Sequence, residues 1–368
     1  MAEPKLFQPI RISGLNLANR IVIAPMCQYS AEDGRMTDWH LTHLGMLAQS
    51  GAGILTIEAT AVTPEGRISY ADVGLWDDGT EAAMARVLEG VRRWSPMPIA
   101  IQLAHAGRKA STDLPWKGGG QIAAADPRGW QTEAPSALPF AATDAPPRAL
   151  EEADLARLRD AFADAARRAG RLGIDAVQIH AAHGYLLHEF LSPLSNRRTD
   201  AYGGSLENRM RFPLEVYDAV RAAFPADRPV TVRVSGTDWA PGGWDIEETV
   251  ALARALEARG CAAIHVSSGG LDAGQKIPVG PNYQVPLARA VKAAVSIPVI
   301  AVGLITEPEQ AEAIVATGDA DLVALARTVL YDPRWPWHAA AQLGARVQAA
   351  PQYRRCQPAR LRDLFLRD

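Results

Sequence analysis

The repeating unit of this chain is clearest in residues 298–324, which read PVIAVGLITEPEQAEAIVATGDADLVA. An apolar run is followed by an amphipathic segment of helix length and then by a second apolar run. Thr306 can cap the helix that Pro308 opens, and Gly318 stands just past the end of that helix. Buried apolar strands joined by helices are typical of βα units in a parallel sheet.

The same βα pattern occurs eight times along the chain. The predicted strands are residues 20–25, 53–61, 98–103, 174–180, 230–235, 263–267, 298–302 and 321–324. The predicted helices are residues 39–49, 79–94, 151–171, 205–223, 245–259, 285–294, 308–317 and 333–343. No linker divides these units, so we predict an α/β fold, a single (β/α)8 TIM barrel that forms one domain over residues 1–368.

Two segments lie outside the eight units. Residues 5–19 alternate in polarity and turn at Ser13 and Gly14, which predicts an N-terminal hairpin at the bottom of the barrel. Residues 104–150 are rich in Pro, Gly and Ala and follow the third predicted strand. A long segment of this kind usually has a functional task. We therefore expect this insertion to cap the mouth of the active site.

Composition excludes several functions. The 368 residues include 38 Lys and Arg against 41 Asp and Glu, and this balance argues against nucleic-acid binding as a main function. The chain has no membrane-length apolar run and no signal-peptide pattern, so we predict a cytoplasmic protein with no membrane partner. Its scattered cysteines, Cys27, Cys261 and Cys356, fit neither a disulfide framework nor an iron–sulfur site.

Three residues follow the fourth predicted strand, where the active site of such a barrel lies. His180, His183 and Tyr185 would offer two imidazole donors beside a phenol. This set could polarise a carbonyl oxygen while a proton is delivered nearby. A metal-dependent hydrolase or lyase built on the two histidines is the alternative, but zinc needs further ligands that the other histidines do not supply. We therefore predict no metal.

Other strand ends point to a phosphorylated, electron-rich ligand. Gly303 and Arg327 follow the seventh and eighth predicted strands, where many such barrels bind phosphate. Gln102 and Arg233 would project from interior strands, where an unpaired guanidinium is costly. Arg233 could stabilise a reduced flavin near its N1 atom, or it could form an internal salt bridge with Glu58. Residue types alone leave both alternatives open.

Several motifs in order resemble the Old Yellow Enzyme family of flavin-dependent ene-reductases, and in particular its bacterial thermophilic-like (xenobiotic reductase-like) subgroup. The most specific match is residues 180–209, HAAHGYLLHEFLSPLSNRRTDAYGGSLENR. The other matching motifs are residues 24–30 (APMCQYS), 65–68 (EGRI), 102–109 (QLAHAGRK) and 134–136 (APS). The resemblance covers nearly the whole chain.

The resemblance implies a barrel that binds FMN and passes hydride from NADPH or NADH to the activated C=C bond of an α,β-unsaturated carbonyl compound. The flavin contacts that it implies are Pro25, Cys27, Ala59, Gln102 and Arg233, with Gly303, Ala326 and Arg327 at the phosphate. His180 and His183 would hold the carbonyl oxygen of the substrate, and Tyr185 would be the proton donor. Tyr29 would line the substrate pocket.

The resemblance extends to the C-terminal motif Gln352-Tyr353-Arg354-Arg355, whose last arginine reaches a neighbouring subunit's active site in the subgroup. It implies a homodimer or a dimer-built tetramer with Arg355 in the substrate site. Residues 356–368 extend past the point where close relatives end, and their role stays open. Ala326 departs from the glycine that is common at its position.

Overall fold

The computed structural model describes residues 3–366. Its strands are β1 (Ile10–Ile12), β2 (Leu15–Leu17), β3 (Ile21–Ile23), β4 (Ile54–Ala61), β5 (Ile99–Ala104), β6 (Glu133–Ala134), β7 (Arg148–Ala149), β8 (Ala176–Ala181), β9 (Val230–Ser235), β10 (Ile264–Ser267), β11 (Val299–Ala301) and β12 (Leu322–Leu325). Its helices are α1 (Asp38–Leu47), α2 (Asp78–Arg92), α3 (Glu152–Arg171), α4 (Leu186–Leu191), α5 (Leu206–Ala223), α6 (Ile246–Glu257), α7 (Val285–Lys292), α8 (Pro308–Ala316), α9 (Arg327–Tyr331) and α10 (Trp335–Leu343).

Eight parallel strands close into a barrel in the order β3, β4, β5, β8, β9, β10, β11, β12. The last strand pairs with the first, with Val323 opposite Ile21 and Leu325 opposite Ile23. Every residue of β4, β8 and β9 is buried, including the polar side chains of Glu58, Gln178 and Arg233 that these strands carry among their apolar residues. The predicted barrel is confirmed.

The core has two parts because each barrel strand has two faces. Outward-facing strand residues pack against the helices, which contribute residues such as Leu158 and Phe162 of α3 to this part of the core. Inward-facing residues at the bottom of the barrel form a separate apolar layer that includes Val22 and Ile54. Ile12 and Leu17 from the β1–β2 hairpin complete this layer, so the predicted N-terminal hairpin closes the bottom of the barrel.

Two short helices, α4 and α9, were not predicted from the sequence. They follow β8 and β12, respectively. Both are too short to show a helical period in the sequence. The predicted N-cap at Thr306 was wrong, because Glu307 occupies that position before α8. Within residues 104–150, β6 and β7 pair in parallel beside several short 3-10 turns. Over the described part of the chain, no helix has the length and apolar character needed to cross a bilayer.

Candidate active site

The end of β8 and the loop that leads from it to α4 bring the two predicted histidines and the tyrosine together. The ring of His180 lies edge-on to those of His183 and Tyr185, with centroids 5.1 and 5.0 Å away. His183 and Gly184 have φ angles of 61° and 74°, so the backbone turns sharply between the two side chains. A Cβ atom on Gly184 would lie 2.2 Å from the Gly270 carbonyl oxygen, so this turn requires glycine.

Both imidazoles are neutral. Burial, followed by the charge of Arg233, lowers the pKa of His180 and of His183 well below the ordinary value. His180 Nδ1 lies 3.3 Å from the Ala182 amide, which donates to it, so the proton of His180 resides on Nε2. That Nε2 lies 3.4 Å from His183 Nδ1. Two ring nitrogens this close can contact the same oxygen atom.

His183 is fixed on its far side by Ser267 at the end of β10. The distance from His183 Nε2 to Ser267 Oγ is 2.7 Å. If the hydroxyl donates to Nε2, the proton of His183 lies on Nδ1 and faces the same point as the proton of His180. The main chain of His183 is also held, because its amide donates to Ser235 Oγ at 2.9 Å. Sequence analysis did not assign a role to either serine.

Tyr185 remains protonated at neutral pH. Burial is the main cause that raises the pKa of its phenol well above 10, and the nearby Cys27 and Tyr29 add to it. The ammonium of Lys109 lies 5.1 Å from the centroid of this ring and donates to the carbonyl oxygens of His183 and Gly270. Burial lowers the pKa of Lys109 to about 8. The sequence alone did not indicate this supporting position of Lys109.

One cavity lies between these residues and the insertion. Its volume is about 570 Å³, and it is lined by Tyr29, Tyr185, Lys109 and Phe140. Arg108 holds the insertion in place, because its guanidinium donates to the carbonyl oxygens of Leu138, Pro139 and Leu271. Residues 104–150 therefore form one wall of this cavity.

A second cavity of about 730 Å³ lies toward β11 and β12. The predicted cofactor residues that line it are Arg233, Gly303, Ala326 and Arg327. Gly303 has a φ angle of 120°, and a Cβ atom there would lie 2.6 Å from Gln284 Nε2. Ser267 lines this cavity as well, so it connects the second cavity to the histidine pair.

Arg233 of β9 is buried, and its Nε atom has no hydrogen-bond partner among residues 3–366. Burial lowers the pKa of Arg233 to about 10. The alternative salt bridge with Glu58 was wrong. Glu58 instead accepts from the Gln28 amide at 2.9 Å and lies 3.5 Å from His40 Nε2. A buried, unpaired guanidinium nitrogen calls for an acceptor from outside the chain.

The remaining predicted flavin contacts lie at or near the same end of the barrel. Ala59 of β4 sits opposite Gln102 of β5, directly after an irregularity in strand pairing. Gln102 Nε2 donates to Gln178 Oε1 at 2.8 Å, and Gln178 in turn lies 3.3 Å from His265 Nδ1. Gln178 and His265 escaped sequence analysis because nothing in the middle of an apolar strand indicates which polar side chains will meet.

Pro25, Cys27 and Tyr29 follow β3 and are half-buried. Burial raises the pKa of the Cys27 thiol, and the carboxyl groups of Asp72 and Glu58 raise it further. Cys27 is therefore a protonated thiol at neutral pH. Burial likewise raises the pKa of the Tyr29 phenol above its ordinary value.

Arg355 lines neither cavity of its own chain. It is exposed on the 3-10 turn Pro351–Cys356, and the neighbouring Tyr353 packs edge-on against Trp337 of α10. The structure therefore separates Arg355 from the other predicted site residues of the same subunit. Within residues 3–366, no group of three or more His, Cys, Asp or Glu side chains is arranged to hold a metal ion.

Comparison with known proteins assigns the chain to a family. The model of the NADH:flavin oxidoreductase / NADH oxidase family matches residues 5–345. An NADPH dehydrogenase of Geobacillus thermodenitrificans is 44% identical over 352 residues, covering 95% of this chain and 98% of the relative. An NADH:flavin oxidoreductase of Gibberella zeae is 45% identical over 365 residues, covering 95% and 88%.

Comparison with solved structures supports the same family assignment. Morphinone reductase in complex with tetrahydroNAD superposes with a TM-score of 0.76 at 30% identity, over 99% of this chain and 98% of that one. The old yellow enzyme homologue from Zymomonas mobilis gives a TM-score of 0.76 at 27% identity, covering 94% of each chain. The chain therefore belongs to the NADH:flavin oxidoreductase / NADH oxidase family, the family of Old Yellow Enzyme, and is an NAD(P)H-dependent flavin oxidoreductase.

Proposed function

We propose that this enzyme is an FMN-dependent ene-reductase of the thermophilic-like subgroup, with NADPH or NADH as hydride donor. Its substrates would be α,β-unsaturated carbonyl compounds and related electron-poor alkenes. The observation that carries the proposal is the convergence of His180 and His183, with ring nitrogens 3.4 Å apart, beside the half-buried phenol of Tyr185. This arrangement suits a substrate that presents one oxygen and receives one proton.

The residues around the second cavity fit FMN. The unpaired Nε of Arg233 offers a donor to an electron-rich ring, and Gly303, which lines the same cavity, has no side chain to obstruct a phosphate. The residues that would hold the cofactor are Pro25, Cys27, Ala59, Gln102 and Arg233, with Gly303, Ala326 and Arg327 at the phosphate. When bound, FMN supplies hydride transfer between a reduced nicotinamide and an alkene.

The chain's own residues would then orient and protonate the substrate. His180 and His183 donate hydrogen bonds to the carbonyl oxygen, which draws electron density from the alkene. Because both imidazoles are neutral, they bind this oxygen without protonating it. Tyr185 keeps its proton at neutral pH and can deliver it to the carbon beside the carbonyl group. The insertion limits access of water to this cavity.

The first experiment is the absorbance spectrum of the purified protein, followed by release and identification of the cofactor. We expect one non-covalent FMN per chain and oxidation of NADPH or NADH that depends on cyclohexenone. Bound zinc in place of flavin would favour the metal-dependent hydrolase instead. Flavin without enone-dependent turnover would indicate a flavin carrier.

Assembly is a further part of the proposal. Arg355 is exposed and cannot serve the site of its own subunit, which supports a homodimer or dimer-built tetramer in which it completes a neighbour's substrate pocket. A guanidinium at the rim of that pocket would help to exclude water.

A further inference from the structure

A buried histidine and aspartate lie behind the loop that carries His183 and Tyr185. His188 of α4 and Asp238, which follows β9, are both fully buried, and Nε2 of the histidine lies 2.9 Å from Oδ1 of the aspartate. Removing an ionisable pair from water is expensive, and such a pair is weak evidence for stability. The reaction described above uses neither residue, so the pair requires another explanation.

The other ring nitrogen of His188 contacts the catalytic loop directly. His188 Nδ1 accepts a hydrogen bond of 2.9 Å from the amide of Gly184, the residue between His183 and Tyr185. A nitrogen that accepts carries no proton, so the proton of the neutral ring resides on Nε2 and faces Asp238. The Gly184 peptide is also part of the turn with positive φ angles that separates His183 from Tyr185.

The surroundings of Asp238 keep it a carboxylate. Its Oδ2 accepts from Ser192 Oγ at 2.6 Å and from the Trp244 amide at 2.8 Å. Burial raises the pKa of Asp238, but the contact with His188 Nε2 and these two donors outweigh burial, so the pKa lies below its ordinary value. An ionised carboxylate facing Nε2 favours the tautomer that leaves Nδ1 free to accept.

We propose that His188 and Asp238 are a positioning pair for the active site. Asp238 fixes the tautomer of His188, His188 Nδ1 holds the Gly184 amide, and this hydrogen bond sets the turn that aims His183 and Tyr185 at one substrate. The inference rests on the proposed function, because it assigns the pair to the same loop. It adds a connection between the loop after β9 and the loop after β8 that neither loop sequence indicates.

Two substitutions at position 188 separate the hydrogen bond from simple packing. In His188→Asn, the side-chain oxygen can take the place of Nδ1 and accept from the Gly184 amide. His188→Leu fills similar space but has no acceptor. Tyr217→Phe is the matched control, since it removes a buried hydroxyl of α5 that has no hydrogen-bond partner among residues 3–366.

The readouts are the affinity of the FMN-loaded enzyme for p-hydroxybenzaldehyde, from flavin absorbance, and amide hydrogen exchange of residues 182–187. We expect His188→Leu to weaken phenol binding about 10-fold to 100-fold and to speed exchange, with FMN content unchanged. His188→Asn should restore most of both, and Tyr217→Phe should change neither. Asp238→Asn should weaken phenol binding in the natural background and much less beside His188→Asn.

Equal impairment of the Leu and Asn variants, or natural affinity in the Leu variant, would overturn the proposal. If His188→Leu does not fold, the comparison of Asp238→Asn with and without His188→Asn decides the question. Hydrogen exchange does not depend on catalysis. A failure of the proposed function, seen as no phenol binding by the natural enzyme, can therefore be distinguished from a failure of the positioning pair, seen as unchanged exchange.

Discussion

The two ends of the barrel differ in the polarity of the residues that fill them. At the bottom, Ile12 and Leu17 of the hairpin complete an apolar layer. At the top, the buried His180 and the half-buried His183 and Tyr185 lie near Arg233, whose Nε is buried and has no partner in the described chain. Burying polar groups is unfavourable, whereas burying apolar surface is the main stabilising contribution to folding. The comparison implies that the bottom stabilises the molecule and that the top uses part of this stability for chemistry.

The largest expected effect is at the top. Tyr185→Phe removes the proton donor and should slow alkene reduction about 100-fold to 10,000-fold, while flavin reduction by nicotinamide is largely retained. Separate stopped-flow measurements of the two half-reactions check this. Tyr217→Phe is the matched control, because it removes a buried hydroxyl on α5 that has no hydrogen-bond partner among residues 3–366. An unchanged rate with cyclohexenone in the Tyr185 variant would mean that water supplies the proton.

At the bottom of the barrel, we expect a substitution to lower stability and to leave turnover unchanged. Leu17→Ala leaves a cavity in the apolar layer and should lower the free energy of unfolding by about 2–5 kcal/mol, with the turnover of the folded enzyme unchanged. Chemical denaturation and steady-state kinetics measure the two effects. Leu330→Ala, at a side chain 42% exposed, should change stability little. A large loss of turnover in folded Leu17→Ala would show that the two ends are not independent.

A buried arginine at each end of the barrel allows the two ends to be compared with the same residue type. Arg233 at the top and Arg20 at the bottom each have a buried Nε without a hydrogen-bond partner in the described chain. Arg233→Met should weaken FMN binding roughly 10-fold to 100-fold, because it removes a charged donor from the cofactor. Arg20→Met should leave FMN affinity unchanged. Equal FMN affinity of the two variants, measured by fluorescence titration of the apoenzyme, would remove Arg233 from the cofactor site.

A smaller effect is expected from the C-terminal segment. Arg355→Ala should raise the Michaelis constant about twofold to fivefold and leave FMN in place, because a charge at a pocket rim contributes modestly. Arg360→Ala, also exposed, is the control. Light scattering should give a dimer or tetramer for the natural enzyme. A fully active monomer would place Arg355 outside the site.

The smallest expected effect is a difference in alkylation rate between two thiols. Cys27 is half-buried with a raised pKa, whereas Cys356 is exposed. Iodoacetamide at pH 8 should therefore modify Cys356 before Cys27, because the thiolate is the reactive form. Peptide mapping over time gives the order of labelling. Cys27→Ala should move the flavin potential without abolishing turnover, and faster labelling of Cys27 would mean that its thiol is activated.

The same division explains what could be read from the sequence. The barrel strands were predictable because two buried faces produce largely apolar runs, as in β11 and β12. His180, His183 and Tyr185 were found because they follow one strand. The pairs His188–Asp238 and Gln178–His265 were not found, since each joins residues whose meeting depends on the closed barrel. The partner of Glu58 was mistaken for the same reason: His40 belongs to α1, and a linear sequence does not show which neighbour reaches a strand.

Closure of the barrel has a consequence for how the chain folds. β3 pairs with β12, the last strand of the barrel in the sequence. Until this pair forms, each of the two strands has an edge with unpaired backbone groups. Pairing two strands that are far apart in the sequence requires closure of a long loop. The entropy cost of closing this loop slows folding. During synthesis the N-terminal half is exposed before its final partner exists. The amides of Lys5 and Leu6, which donate to the Glu312 carboxylate of α8, join the first turn of the chain to one of its last helices, so this contact too forms late.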